Sequence, residues 1–272
     1  VEVLRKTNLK TNVNMTPHIH SGHRNCFSRI HFILWSLLIA MTMNTTSSAD
    51  TPSLLDPDRG IRFHPVKKLM EGWTIFVEPV LLEDGEDLVG KKALEMLRNH
   101  LQRITILIPP GPLKKMQGLE IWIEKDHPTL KSMQYHPSRG WLIQHSHDPR
   151  LAKKVHIPVA ENLLSRQQLL KHPMVVLHEL AHAYHDQVLG FEHPAIIKAF
   201  EVMKKSGSYE KVLLYTGQTV KHYGLSNHKE YFAEGTEAYF YRNDFFPFVR
   251  AELKLHDPAL HDVLLDVWGP AR

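Results

Sequence analysis

The sequence predicts an α+β domain, with a mixed sheet in its first half and mostly helix in its second. Three observations predict it. Between residues 66 and 160, short stretches with strand-like alternation are interrupted by one amphipathic helical stretch. Beyond residue 170 the apolar spacing changes to the helical period and keeps it. The composition, 43% hydrophobic and 23% charged over 272 residues, is that of an ordinary globular chain, neither disordered nor fibrous.

The first 49 residues read as a leader. Residues 30–41 (IHFILWSLLIAM) are mostly apolar, Arg24 and Arg29 precede them, and Ser47-Ser48-Ala49 follows. A positive flank, a short apolar run and a small-residue site are the layout of a secretory signal. The run is shorter than the ~20 residues of a comfortable membrane span; an uncleaved anchor or a buried helix are the alternatives. The expectation is export, secreted or periplasmic, with cleavage after Ala49 and residues 50–272 forming a single domain without stable membrane insertion. Val1 is an unusual first residue, and Met15 gives a more usual signal length. Residues 1–49 carry five Lys/Arg and one Glu, and subtracting these from 33 and 29 leaves 28 basic and 28 acidic residues. The pI of about 9.0 therefore belongs mostly to the leader, and charge gives no reason to expect a nucleic-acid partner. The one cysteine, Cys26, also lies in the leader, so residues 50–272 hold no disulfide and no cysteine-based zinc site.

The elements follow in order. Residues 50–65, rich in Pro and Asp, form an irregular lead-in. Residues 73–82 (WTIFVEPVLL) read as a strand, with Pro79 pointing to an edge or a bulge. Ala93, Leu94, Leu97 and Leu101 place a helix over 91–103. Residues 119–124 (LEIWIE) alternate as a half-buried strand does; 141–144 and 154–159 are further strand candidates. A long helix spans 173–189, between Pro173 as a first helical residue and Gly190 as a stop. A second covers 194–205. Residues 211–215 and 218–222 flank Thr216-Gly217 as a hairpin. Asn227 caps a helix from His228 to about Tyr241, and Asp257-Pro258 starts a last one through Val267.

The chemistry is concentrated in His178-Glu179-Leu180-Ala181-His182. On a helix, residues i and i+4 project from one face, so both imidazoles are positioned to bind one metal ion, and neutral imidazoles suit Zn²⁺. Glu179 follows the first histidine and can accept a proton from water on the open side of such an ion. A shuffled sequence of this composition gives roughly 0.1 matches to this pattern, so context has to decide. Met174, Val175, Val176, Leu177, Leu180, Ala181 and Tyr184 make the helix apolar nearly all round. A buried helix has little reason to carry these groups unless they are paired or metallated. A third ligand is expected from Glu230, 48 residues after His182. Glu230, Glu234 and Glu237 share one helix face at i, i+4 and i+7. The plain alternative is a solvated acidic stripe; the favoured reading has Glu230 on the metal and Glu234 behind it, holding a ligand histidine in its tautomer. His145 and His147 form a weaker i, i+2 candidate pair on a strand. His185 is expected to face another side of the helix.

Tyr223-Gly224, then Asn227, then Glu230-Tyr231-Phe232-Ala233-Glu234 resembles the peptidase domain of anthrax lethal factor and the related Pro-Pro endopeptidases. That family carries HExxH on one helix, a tyrosine seven residues before the third ligand, and Glu-aromatic-Phe-Ala-Glu. The resemblance covers roughly residues 170–245. It implies Glu230 as third zinc ligand, Glu234 as a supporting carboxylate, and Tyr223 as a hydroxyl donor to the tetrahedral intermediate; a core or hairpin aromatic is the other reading of Tyr223. Gly235-Thr236-Glu237 departs from the family's apolar continuation. The expectation is thus a zincin-like metallopeptidase with one Zn²⁺ per chain, acting on a peptide or protein substrate with Glu179 as base. The rivals are an inactive zinc- or peptide-binding module of the same fold, and a zinc hydrolase of another amide.

Overall fold

The computed structural model describes residues 60–83 and 88–271. The leader, its cleavage site and the start of the lead-in lie outside the described residues. Strands β1 (Val66–Met70) and β2 (Trp73–Val77) form a hairpin closed by Glu71 and Gly72, at φ 49° and 95°. Two successive positive φ values match the right-handed twist of the flanking strands. β1 escapes the sequence pattern because Val66 to Leu69 are exposed and show no alternation. The strand expected over 73–82 stops at Val77. Pro79, which has no N–H to give a ladder, opens a 3-10 turn (Pro79–Leu82) instead, and β2 is an interior strand rather than an edge.

Helix α1 (Val89–Leu107) runs longer than expected and buries Ala93, Leu97, Leu101 and Ile104; α2 (Pro110–Met116) follows. β3 (Glu120–Ile123) lies parallel to β2. The chain then forms β4 (Gln134–Tyr135), α3 (Arg139–Gln144) and β5 (Lys154–Ile157); β5 is parallel to β3 and antiparallel to β4. The result is a mixed five-stranded sheet, β1-β2-β3-β5-β4, with β4 at its edge. Residues 141–144, expected as a strand, are helical. The Ser138 hydroxyl accepts the Trp141 N–H and nucleates α3. His145 and His147 therefore follow a helix end, not a strand.

The second half is helical: α4 (Arg166–Lys171), α5 (Val175–Tyr184), α6 (Pro194–Ser206), α7 (His228–Phe240), α8 (Arg250–His256) and α9 (Pro258–Trp268), with a short hairpin of β6 (Val212–Leu213) and β7 (Thr219–Val220). The helix expected over 173–189 begins at Val175 and widens after Tyr184 into a π-helical turn (His185–Leu189), ended by Gly190 at φ 82°. Every residue of α5 is buried, packed against α1, α7 and strands β4 and β5. Among the described residues no helix is long and apolar enough to cross a membrane.

The departure at residues 235–237 has a packing reason. A Cβ on Gly235 would sit 2.5 Å from Leu260 Cδ2, so glycine lets α9 approach α7 closely. The Thr236 hydroxyl donates to the Phe232 carbonyl at 2.8 Å and accepts the Trp268 indole N–H at 3.1 Å. Tyr231 donates to Asp257 at 2.7 Å, and Asp257 in turn caps α9 by accepting the Leu260 N–H at 3.0 Å. Both ends of α9 are thereby tied to α7, the helix that carries the acidic residues.

Candidate metal centre

One helical turn separates His178 and His182, and their Nε2 atoms face each other 3.1 Å apart. The third group arrives through a helix cap. The Asn227 carboxamide oxygen accepts the N–H of Lys229 at 2.9 Å and of Glu230 at 3.0 Å, which starts α7 at a fixed point. Glu230 then sits in the first turn, where the helix dipole favours a carboxylate. Its Oε2 lies 3.3 Å from His178 Nε2 and 3.2 Å from His182 Nε2.

These three atoms form a nearly equilateral triangle. Donors bound tetrahedrally to zinc at ~2.0 Å stand ~3.3 Å apart, so the donor set and its spacing fit that ion and leave a fourth direction open. Burial lowers the pKa of His178, but the Glu230 and Glu237 carboxylates outweigh it and hold the imidazole well above its ordinary range. Burial likewise acts upward on Glu230, and hydrogen bonds from His178 and His182 pull it well below the carboxylate range. Both shifts come from the same attraction between the imidazoles and the carboxylates.

Glu179 is buried beside the triangle. Its Oε2 accepts the backbone N–H of Tyr135 at 2.8 Å, which joins α5 to the edge strand β4. The Tyr135 hydroxyl donates to Asp186 at 2.6 Å in the π-helical turn, and Lys153 Nζ reaches the same oxygen at 2.5 Å. Burial raises the Glu179 pKa against the pull of His178 and His182, which eases protonation of its carboxylate. Tyr223, in a 3-10 turn (Tyr223–Leu225), is 50% exposed and lines the same cleft. The Glu230 charge, then burial, raises its phenol pKa. The cleft, about 620 Å³, brings His178, Glu179, His182, Tyr223 and Glu230 together and is walled by Met133, Gln134 and Tyr135.

The expected role of Glu234 needs correction. Its Oε1 is 3.8 Å from His178 Nδ1, beyond hydrogen-bond range, while Glu237 Oε1 is at 2.8 Å. Two turns along α7, not one, bring a carboxylate over the back of the His178 ring. Sequence spacing placed Glu237 on the right face without a role. His172 completes the arrangement, with its Nε2 2.6 Å from that same Glu237 oxygen. Nothing in the sequence links His172 to a residue 65 positions away. These four groups could be taken for a second metal site, but 2.6 and 2.8 Å are too short for two ligands of one ion and are ordinary for N–H···O⁻ bonds. N–H···O⁻ bonds to Glu237 account for the two short contacts. Two adjacent buried carboxylates do not ionise equally. Glu237 stays low because His172 and His178 outweigh burial. Glu234 is raised by burial, with the Glu237 charge adding to it.

The other histidines stand elsewhere. His185 is buried among Phe191, His228 and Phe232, turned away from the triangle as expected. His222 accepts the Gly224 N–H at 2.9 Å and stacks on Tyr209. His145 and His147 flank Trp141 and join no metal-competent group among the described residues. No family model, curated protein or solved structure matches this chain.

Proposed function

We propose that the chain is an exported zinc-dependent peptidase with a zincin-like catalytic domain, as its resemblance to the lethal factor and Pro-Pro endopeptidase family implies. One Zn²⁺ would be held by His178, His182 and Glu230. The observation that carries this reading is the triangle of three donors 3.1–3.3 Å apart, with a buried carboxylate that is not one of them at its side. A site serving stability alone has no need of Glu179.

Zinc, when bound, supplies Lewis acidity and lowers the pKa of water toward ~7. The chain does the rest. The Tyr135 N–H fixes one oxygen of Glu179, so the other is aimed while it takes a proton from the attacking water and returns it to the leaving amine. The Tyr223 hydroxyl donates to the oxyanion that develops on the scissile carbonyl. An extended peptide would pass through the cleft beside the edge strand β4, which walls it.

Three variants test the assignment against a peptide library. Glu179→Gln keeps zinc and loses at least ~10²-fold in rate, the lower end for a positioned general base. Tyr223→Phe is milder in the same direction, because zinc, when bound, would still stabilise the developing charge. Glu230→Gln loses metal affinity. Zinc stripped by Glu179→Gln but retained by Glu230→Gln would overturn the ligand assignment. Full activity in all three would place the reaction elsewhere. A wild-type protein that holds zinc but cleaves no peptide would favour the binding module or another amide substrate.

A further inference from the structure

We infer that Glu237, clamped by His172, is the positioning residue that fixes the ring and tautomer of His178 for zinc, and that Glu234 is not. The inference rests on the zinc reading of the triangle and adds two residues to it.

The argument is one of hydrogen-bond accounting. An imidazole that gives its Nε2 lone pair to a metal must carry its proton on Nδ1, and that proton needs an acceptor where water is excluded. His178 Nδ1 has one at 2.8 Å, Glu237 Oε1. The same oxygen takes a second N–H from His172 at 2.6 Å. Glu237 is fully buried, and its Oε2 has no partner among the described residues. All of its directional bonding therefore passes through Oε1, and both bonds come from imidazoles. His172 lies just past the end of α4, on the link into α5, so the clamp joins the α4–α5 connection to α7. With His172 in place, Oε1 cannot swing away from His178 without breaking a charge-assisted bond. Glu234 is equally buried, but it stands 3.8 Å from the same nitrogen, and its Oε2 is also without a partner among the described residues. It is near enough to be mistaken for the acceptor and too far to act as one.

The test uses the full mature chain and Zn²⁺ as the probe, without substrate. Zinc affinity is measured by chelator competition, alongside the zinc release rate. Glu237→Leu should lose 10–100-fold in affinity, as removal of a ligand's supporting partner does. Glu234→Leu should stay within about threefold of wild type, well short of that range. His172→Phe, which keeps Glu237 but frees it, should fall between them. In the zinc-loaded protein, ¹⁵N-edited NMR should show a downfield, slowly exchanging Nδ1 proton on His178. It should survive Glu234→Leu and be lost or shifted in His172→Phe. If Glu237→Leu does not fold, His172→Phe and the NMR signature decide alone. An unchanged release rate and an unchanged proton in His172→Phe overturn the clamp, as does a tenfold loss confined to Glu234→Leu. A wild-type chain that binds no zinc overturns this inference and the peptidase reading together. Zinc bound with the clamp confirmed and no peptide cleaved defeats the peptidase reading alone.

Discussion

Replacing Gly235 with alanine puts a methyl group 2.5 Å from Leu260 Cδ2, 3.0 Å from Leu260 Cγ and 3.2 Å from Leu264 Cδ1. Carbon atoms in contact stand ~3.5–4.0 Å apart, so Leu260 must leave its rotamer or α9 must retreat by about 1 Å. Leu260 and Leu264 are both buried, and Asp257 and Trp268 tie the ends of α9 to α7, so there is little room to yield. Overpacking of this kind costs ~1–3 kcal/mol. Against it, alanine in a helix interior is favoured over glycine by ~1 kcal/mol. The steric cost is the larger over that range, and the expected net loss is up to ~2 kcal/mol. Urea unfolding, followed by far-UV circular dichroism in excess chelator, measures it. Gly235 lies between Glu234 and Glu237, so a displaced α7 also moves Glu230 and Glu237, and zinc affinity should fall with stability. A Gly235→Ala variant about 1 kcal/mol more stable than wild type, as propensity alone gives, would refute the close α7–α9 packing.

Asn227→Ala removes the cap that starts α7 and should cost ~1 kcal/mol of stability, together with measurable zinc affinity, because Glu230 is one of the two N–H donors it accepts; a stability loss with unchanged zinc binding would show that the cap does not position Glu230. Burial drives His136 and His156 down to about 3 and His100 to about 4. Their folded values lie below the unfolded value, so the unfolded chain binds more protons across that interval, and these rings lower stability as pH drops from ~6.5 toward ~4, by up to ~1.4 kcal/mol per pH unit for each ring. Urea midpoints of chelator-treated wild type and His100→Leu at pH 7, 6 and 5 isolate one ring's share of the slope, and an equal slope in the two contradicts the burial of His100. Export should remove residues up to about Ala49, which N-terminal sequencing of extracellular material tests; a mature terminus at Met15 contradicts it.

What was legible in the sequence was whatever short-range chemistry encodes. The Asn227 cap, Pro194 and Pro258 at helix starts, and HExxH on an apolar helix all act within a few residues, and the helices appear where those signals put them. Strand readings failed where exposure or capping overrode pattern. β1 shows almost only exposed side chains, and residues 141–144 are held helical by the Ser138 hydroxyl despite an apolar run. The site divides in the same way. His178 and His182 follow from helical periodicity, and Glu230 from its place one turn into a capped helix. Whether Glu234 or Glu237 reaches His178 depends on where α7 crosses α5, which no spacing along one helix specifies. His172 and the Tyr135 N–H enter from other elements and had no local signal. β4, two residues long, was invisible for lack of length.

Zinc K-edge absorption of the purified protein tests the central claim most directly. The account predicts one zinc per chain that survives dialysis, with a nitrogen and oxygen shell at ~2.0–2.1 Å, multiple scattering from two imidazoles, and no sulfur. It also predicts that Glu230→Gln weakens or empties the site, while Glu179→Gln leaves the spectrum's ligand count unchanged. A protein that retains no zinc, or a shell of three or more imidazoles, would contradict it.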